Sequence, residues 1–477
     1  MNKSTLQRRS IPILLLLLFS SATLRAQSSG HPTLDTLLMK TLDSMKVVLN
    51  AKSLNAAIQF PDTAVWAHAA GLSTANTPAN INHAYLIGSV TKTITAACIL
   101  QLVDDGLLNL DDSLHKWLDT IQYVNPDITL RQLLRHQSGL YDALNNPLFN
   151  TAMNNNPGFS WPADSIVKNY LLPPTGIPGG AWSYCNTNYF LLGMVIEAAT
   201  GQPFYTEYRN RFFNNYGYTS FGIPSFEPYS QPVAHVWIDL NGDGILDDGH
   251  NYYYFFSALN SAAGAAGGFY ATATDLARWT RHYLRGDVVS PAMMTEATTM
   301  INASGSQGGK YGLGLMKNTF QGLTAYGHGG DLAYAASSWY FPARDISISV
   351  LMNQNGLTSW NLLPVVNALI KTYNNWLIAT SIPEETMANN TVQAYPNPFT
   401  DQLRIQMSSE QLPTDEPLQV ILQNTLGQNL AVSATTNEIP GGYVFTLNNL
   451  NSLPAGMYIA RLQSNTHLLG TVKVIRQ

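Results

Sequence analysis

One stretch limits what this chain can fold into. Ser381 to Ala394 (SIPEETMANNTVQA) is polar, shows no hydrophobic periodicity and reads as a linker over 381–394. It separates a long body from a shorter C-terminal piece that must build its own core. In that piece, 395–477, apolar residues alternate with period two: Leu403, Ile405 and Met407; Leu418, Val420 and Leu422; Met457 and Ile459; Val472 and Val474. Pro413, Pro417, Gly427, Gly441–Gly442 and Pro454–Gly456 break the runs. Short alternating strands with regular turn signals predict a small β-sandwich.

The body patterns differently. Leu34, Leu37, Leu38, Leu42, Met45 and Leu49 recur at helical spacing, and strand-like Ala57–Phe60 and Val65–Ala70 follow. Near its end come strands Ser337–Phe341 and Ile346–Met352, then a helix through Leu362, Val366, Leu369 and Ile370. Strands at both ends with helical segments between them predict one sheet covered by helices, an α+β fold over 27–380.

The first 26 residues read as a secretory signal peptide. Lys3, Arg8 and Arg9 precede an apolar run from Ile11 to Phe19, and Ala26-Gln27 is the expected cleavage point. That run is too short to span a bilayer, and no transmembrane segment is expected. Only 12% of residues are charged, about half the usual share, and the net charge is −5. No broad basic surface for nucleic acid is available. Cys98 and Cys185, the only cysteines, exclude a disulfide scaffold and a thiolate zinc cluster.

Three short motifs carry chemistry. A serine followed three residues later by lysine on a helix puts an amine one turn from a hydroxyl, where it can take the hydroxyl proton. Ser-x-x-Lys occurs at Ser89–Lys92, Ser113–Lys116 and Ser165–Lys168. Only Ser89 follows a glycine and opens a long apolar helix, Thr93–Val103; the other two read as capping or surface residues. Tyr-x-Asn, a phenolic base with a positioning amide, begins at Tyr123, Tyr184, Tyr208, Tyr373 and Tyr395. Of these, Tyr184-Cys185-Asn186 alone sits in a polar cluster that opens an apolar helix. Gly327-His328-Gly329-Gly330 occurs once, before strand-like residues, and its glycines allow close approach to a strand backbone.

In this order the three motifs resemble the class C β-lactamase and penicillin-binding serine hydrolases. Leu102–Asp112, Leu133–Leu140, Ala262–Gly268, Asp275–Trp279 and Met352–Gln354 are also similar to stretches of that family. The resemblance implies an antiparallel sheet flanked by helices with an all-helical lobe, and it implies roles. Ser89 would be acylated, Lys92 would lower its pKa or accept its proton, and Tyr184 would pass a proton to the leaving group. Asn186, His328, Gly329 and Gly330 would bind substrate, and the N–H groups of Ser89 and Asp331 would form the oxyanion hole. No cofactor is required for this chemistry.

Two positions depart from the family. Cys185 replaces a small hydroxyl residue, and it reads as a packed free thiol. His328-Gly329 stands where antibiotic-hydrolysing members carry Lys-Thr, whose cation and hydroxyl grip a carboxylate. A penicillin nucleus or free carboxylate would be poorly anchored, and the resemblance to family members with His-x-Gly implies an esterase or a D-amino-acid peptidase acting on a small ester or peptide. A β-lactamase or D-Ala-D-Ala carboxypeptidase is the alternative, and a non-catalytic binding protein a further one.

Other signals are secondary. Asp239, Asn241, Asp243, Ile245, Asp247 and Asp248 place oxygens at alternate positions around turn glycines, as a structural calcium loop or a solvated turn would. His136 and Ser138 read as turn residues rather than a Ser–His pair. Tyr252–Phe256 reads as core or acyl-pocket wall. Tyr395-Pro-Asn-Pro-Phe399, Gly456-Met457-Tyr458 and Gly470–Val474 resemble the sorting domain of type IX secretion. That resemblance implies the secretion machinery as a partner, and a secreted or surface destination.

Overall fold

The computed structural model describes residues 26–249, 253–381, 391–408, 418–424, 429–430, 432–464 and 468–476. The expected signal peptide, apart from Ala26, lies outside them, as do the side chains of Tyr252–Phe256. The described residues fall into two compact units: those within 26–30, 42–319 and 323–363 in one, those within 31–41, 320–322 and 364–476 in the other.

The first unit is built on one sheet. Among the described residues its strands are β1 (Ala26–Gln27), β2 (Ser53–Gln59), β3 (Val65–Gly71), β4 (Ile301–Asn302), β5 (Lys310–Tyr311), β6 (Met316–Phe320), β7 (Leu323–Leu332), β8 (Tyr334–Phe341) and β9 (Ile346–Met352). Their spatial order is β1-β3-β2-β9-β8-β7-β6-β5-β4. Strands from both ends of the body thus meet at the β2–β9 pair, where Ile348 lies opposite Ile58. Every residue of β2, β8 and β9 is buried, so the middle of the sheet is covered on both faces.

Helices supply that cover. The first half of α1 (Pro32–Val48) belongs to the second unit, where Thr41 Oγ1 lies 2.9 Å from Thr372 Oγ1. Helix α2 (Thr91–Asp104) is buried on all sides from Thr91 to Leu100, because helices of the lobe surround it. Among them is α3 (Thr187–Thr200). Helix α4 (Ala273–Arg285) lies on one sheet face, where Thr280 and Ser338 hydroxyls meet at 2.6 Å and Ser347 donates to the Ala277 carbonyl at 2.6 Å. Small hydroxyl residues on that face let the helix approach closely. Helix α5 (Ser359–Ser381) begins in the first unit and ends in the second.

The C-terminal piece forms two four-stranded antiparallel sheets. One contains β10 (Thr391–Tyr395), β11 (Leu403–Ser408), β14 (Ala434–Ile439) and β15 (Gly442–Leu447), in the order β10-β11-β15-β14. The other contains β12 (Gln419–Gln423), β13 (Asn429–Leu430), β16 (Gly456–Gln463) and β17 (Leu468–Arg476), in the order β13-β12-β16-β17. Inward residues of both sheets, including Ile405, Leu422, Phe445 and Val474, share one core. Asn397 ties the Tyr-Pro-Asn-Pro-Phe segment to β17 through the Lys473 carbonyl and the Ile475 N–H.

The linker boundary differs from expectation. Thr391–Ala394 pair with Ile405–Ser408, and Val392 and Ala394 pack against the sandwich core. Two apolar residues were too short a run to show their alternation in the sequence. At the other end, Ala26 and Gln27 add to the edge of β3, opposite His68 and Ala67.

Candidate active site

Ser89 sits in a single 3-10 turn, Gly88–Val90, that leads directly into α2. Strand β7 has ten residues and its neighbour β6 only five, so the end of β7 outruns β6 and lies against this turn instead. Two glycines make that approach possible. Gly88 has φ +52, and a Cβ on it would meet the Asp331 nitrogen at 2.8 Å. A Cβ on Gly330 would sit 2.0 Å from the Ile87 carbonyl oxygen and 2.9 Å from the Ser89 nitrogen. Ser89 and Asp331 thereby line one cavity.

That cavity, about 270 Å³, is lined by Ser89, Tyr184, Asn186, His328, Gly329 and Asp331 together with Trp182, Leu144, Met316, Leu332, Gln307 and Trp360. Four side chains and a carbonyl converge at its base. Lys92 Nζ donates to Ser89 Oγ at 3.0 Å, to Asn186 Oδ1 at 2.8 Å and to the Ala266 carbonyl at 2.7 Å. Asn186 in turn donates its Nδ2–H and its backbone N–H to the Asp142 carboxylate, at 2.8 and 3.1 Å.

Electrostatics follow from burial. Lys92 is fully buried, and loss of water draws its ammonium down to about 7, against the opposing pull of the Asp142 carboxylate. Burial pushes the Tyr184 phenol well above its usual range, opposed in part by its hydrogen bond with Ser89. A phenol so placed stays neutral. The pair is therefore an amine able to accept a proton near neutral pH and a phenol able to pass one on.

Behind Tyr184 runs a chain of hydrogen bonds that the sequence did not announce. Cys185 N–H donates to His136 Nδ1 at 3.1 Å, which leaves the ring proton on Nε2, facing Tyr311 Oη at 3.1 Å. Tyr311 can then donate to His328 Nε2 at 2.9 Å, and His328 Nδ1–H is left for the Gly329 carbonyl. Both histidines are buried and neutral; burial together with the nearby Lys92 charge holds His328 down to about 3.

These bonds correct two expectations. His328 lines the cavity, but both of its ring nitrogens are hydrogen-bonded within the protein. Gly330 is not in the cavity wall; it faces the Ile87–Ser89 backbone and permits the close approach. His136 does occupy a turn (φ +57), and Ser138 donates to Asn188 at 2.6 Å, so the two form no Ser–His pair. His136 nevertheless belongs to the site, its ring centroid 4.3 Å from that of Tyr184. Asp142, Tyr311 and Gln307 had no motif to mark them.

The remaining candidates lie elsewhere. Lys116 pairs with Asp112 and Lys168 with Asp164, both on the surface. Cys185 and Cys98 are buried and free, and burial pushes the Cys185 thiol up to about 12. In the 239–248 loop, Asp239 accepts from the N–H groups of Gly242 and Gly244, Asn241 from that of Asp243, and Asp243 from that of Ile245. Asp247 turns back to the Leu240 N–H, and Asp248 pairs with His235 at 2.8 Å. These oxygens accept from the loop's own backbone, and among the described residues no three acidic, histidine or cysteine side chains converge as a metal cage.

A Ser–Lys–Tyr–Asn cluster thus lies beneath an antiparallel strand, with a helical lobe beside the sheet. Residues 51–369 match the beta-lactamase family, and residues 393–477 match the secretion system C-terminal sorting domain. The chain belongs to the beta-lactamase family, and its sorting domain directs it through type IX secretion to the cell surface or extracellular space.

Among curated relatives, Penicillin-binding protein 4* of Bacillus subtilis is 24% identical over 259 residues, 50% of this chain and 54% of that protein. The chain thus spans about half the length of the curated relatives it matches. A D-stereospecific amidohydrolase from a Streptomyces species is 27% identical, with a TM-score of 0.60 over 70% of this chain and 98% of that one. The D-amino acid amidase of Ochrobactrum anthropi complexed with D-phenylalanine has the same fold, with 23% identity and a TM-score of 0.64 over 72% and 99%. No described helix is long and apolar enough to cross a membrane.

Proposed function

We propose that this protein hydrolyses small esters or D-amino-acid amides and peptides through a Ser89 acyl-enzyme. The observation that carries the reading is Lys92 Nζ at 3.0 Å from Ser89 Oγ, in a setting that draws the amine to about 7. Neutral Lys92 takes the hydroxyl proton as Ser89 Oγ attacks the carbonyl carbon. The N–H groups of Ser89 and Asp331 receive the oxyanion; such donors contribute about 3–4 kcal/mol each to the transition state. Tyr184 gives its proton to the leaving group and is reprotonated from Lys92. Water then enters, and the same groups run in reverse to release the acid.

The cavity wall argues for this substrate range. It contains no arginine, and the lone lysine of the site, Lys92, sits beneath it with its donors already engaged. A β-lactam or a C-terminal carboxylate would find no free cation to anchor it. The Streptomyces amidohydrolase, by its fold and identity, supports an amide or peptide substrate. We further propose that residues 1–26 act as the export signal that precedes type IX transport.

The test is turnover of a p-nitrophenyl ester, a D-amino-acid p-nitroanilide and a chromogenic cephalosporin by wild type and Ser89→Ala. Ser89-dependent release from the first two, with the cephalosporin slow, supports the proposal. Preferential turnover of the cephalosporin moves the assignment to a β-lactamase or D-Ala-D-Ala carboxypeptidase. No turnover by a folded protein leaves a binding role.

A further inference from the structure

One corner of the cavity offers hydrogen-bond acceptors and no cation to meet them. On β7, Gly329 and Asp331 share a face because strand side chains alternate. Asp331 is the charged side chain in the cavity wall. Its two oxygens accept from the N–H and the hydroxyl of Ser359, at 2.5 and 2.8 Å, which leaves each oxygen a second lone pair.

Gln307 stands next to it. The Ser359 hydroxyl proton goes to Asp331, since a carboxylate only accepts; Ser359 Oγ must therefore accept from Gln307 Nε2, at 2.9 Å. This fixes the amide orientation and leaves Gln307 Oε1 buried without a partner. Gln307 is only 2% exposed, yet it lines the cavity. The absent side chain at Gly329 makes the room: a Cβ there would meet Ser359 Oγ at 2.7 Å and Gln307 Oε1 at 2.9 Å. An orphaned buried acceptor beside a carboxylate is unfavourable unless a donor arrives to pair with it.

We propose that Asp331 and Gln307 form a subsite for a substrate ammonium group, so that the preferred acyl donor carries a free amine close to the carbonyl under attack. This rests on the Ser89 acyl-enzyme reading and narrows it. In the proposed mechanism the Asp331 N–H receives the oxyanion, and the Asp331 and Gln307 side chains line the same cavity as Ser89, so the subsite suits a cation close to the carbonyl under attack. An ammonium supplies the donors that both acceptors require, and charge-assisted bonds of this kind are stronger than neutral ones.

The experiment compares D-alanine p-nitroanilide with its N-acetyl derivative, using p-nitrophenyl acetate as an amine-free control. Wild type should favour the free amine in kcat/KM by roughly tenfold or more, the scale of one charge-assisted hydrogen bond. Asp331→Asn and Gln307→Leu should each lower that ratio, Asp331→Asn towards one. The readout is the ratio, so a general loss of activity does not imitate the effect. Equal turnover of both anilides by wild type, or an unchanged ratio in Asp331→Asn, overturns the subsite. If the control ester is also inert, the hydrolase reading fails and the subsite with it; if the control turns over normally, the subsite alone fails.

Discussion

Replacing Asp142 by asparagine removes a negative charge from beside the proposed base without touching Ser89 or Lys92. The carboxylate reaches Lys92 through Asn186, by hydrogen bonds of 2.8 Å on either side of one amide. The two charges are therefore roughly 7 Å apart, and Coulomb's law at an effective dielectric of about 20 gives about 2 kcal/mol. Relaxation and the retained amide dipole reduce this, so a downward shift of roughly one pKa unit is expected. The sign follows from the role. The working form of Lys92 is the neutral amine, so activity in wild type rises with pH through about 7 and then levels. Asp142 holds the ammonium form up, and its removal moves that acid limb to lower pH. The assay is kcat/KM for a p-nitrophenyl ester between about pH 5 and 9, where the slope reports ionisation of the free enzyme. An acid limb that stays in place, or moves to higher pH, refutes Lys92 as the titrating base.

Three further outcomes are expected. Gly330→Ala puts a methyl 2.0 Å from the Ile87 carbonyl oxygen and separates β7 from Ser89; kcat/KM should fall roughly 100-fold or more, as when one oxyanion donor is lost. Tyr311→Phe leaves His136 Nε2 and His328 Nε2 without their shared partner in a buried setting. Urea unfolding should show a loss of roughly 2 kcal/mol or more. Because the carboxylates of the 239–248 loop accept from their own backbone, chelator should leave thermal stability and ester turnover unchanged, and a rise in melting temperature on adding calcium would refute that account.

The parts of this molecule that were legible in the sequence are those whose chemistry is local. Ser89–Lys92 lie one helical turn apart, and Tyr184–Asn186 and Gly327–Gly330 are contiguous, so spacing alone exposed them. The first two also have decoys, and burial is what separates Lys92 from Lys116 and Lys168: the latter two lie on the surface, each paired with an acid four residues earlier. Residues recruited from distant segments left no such trace. Asp142 acts through Asn186, Tyr311 bridges two histidines that are far apart in sequence, and Gln307 meets Asp331 only because both bond Ser359. The small strand β10 was missed because its two inward residues, Val392 and Ala394, sit among polar neighbours. The 239–248 loop stayed open between two readings for a related reason: alternating Asp and Asn suit a calcium cage and a series of side-chain-capped turns equally well.

The account turns on which serine is acylated, and intact-mass analysis after reaction with a fluorophosphonate, followed by peptide mapping, reads this directly. The expected result is a single adduct on Ser89 that forms faster as pH rises through about 7 and is absent from Ser89→Ala. An adduct on Ser113 or Ser165, or a folded protein that remains unlabelled, would contradict it.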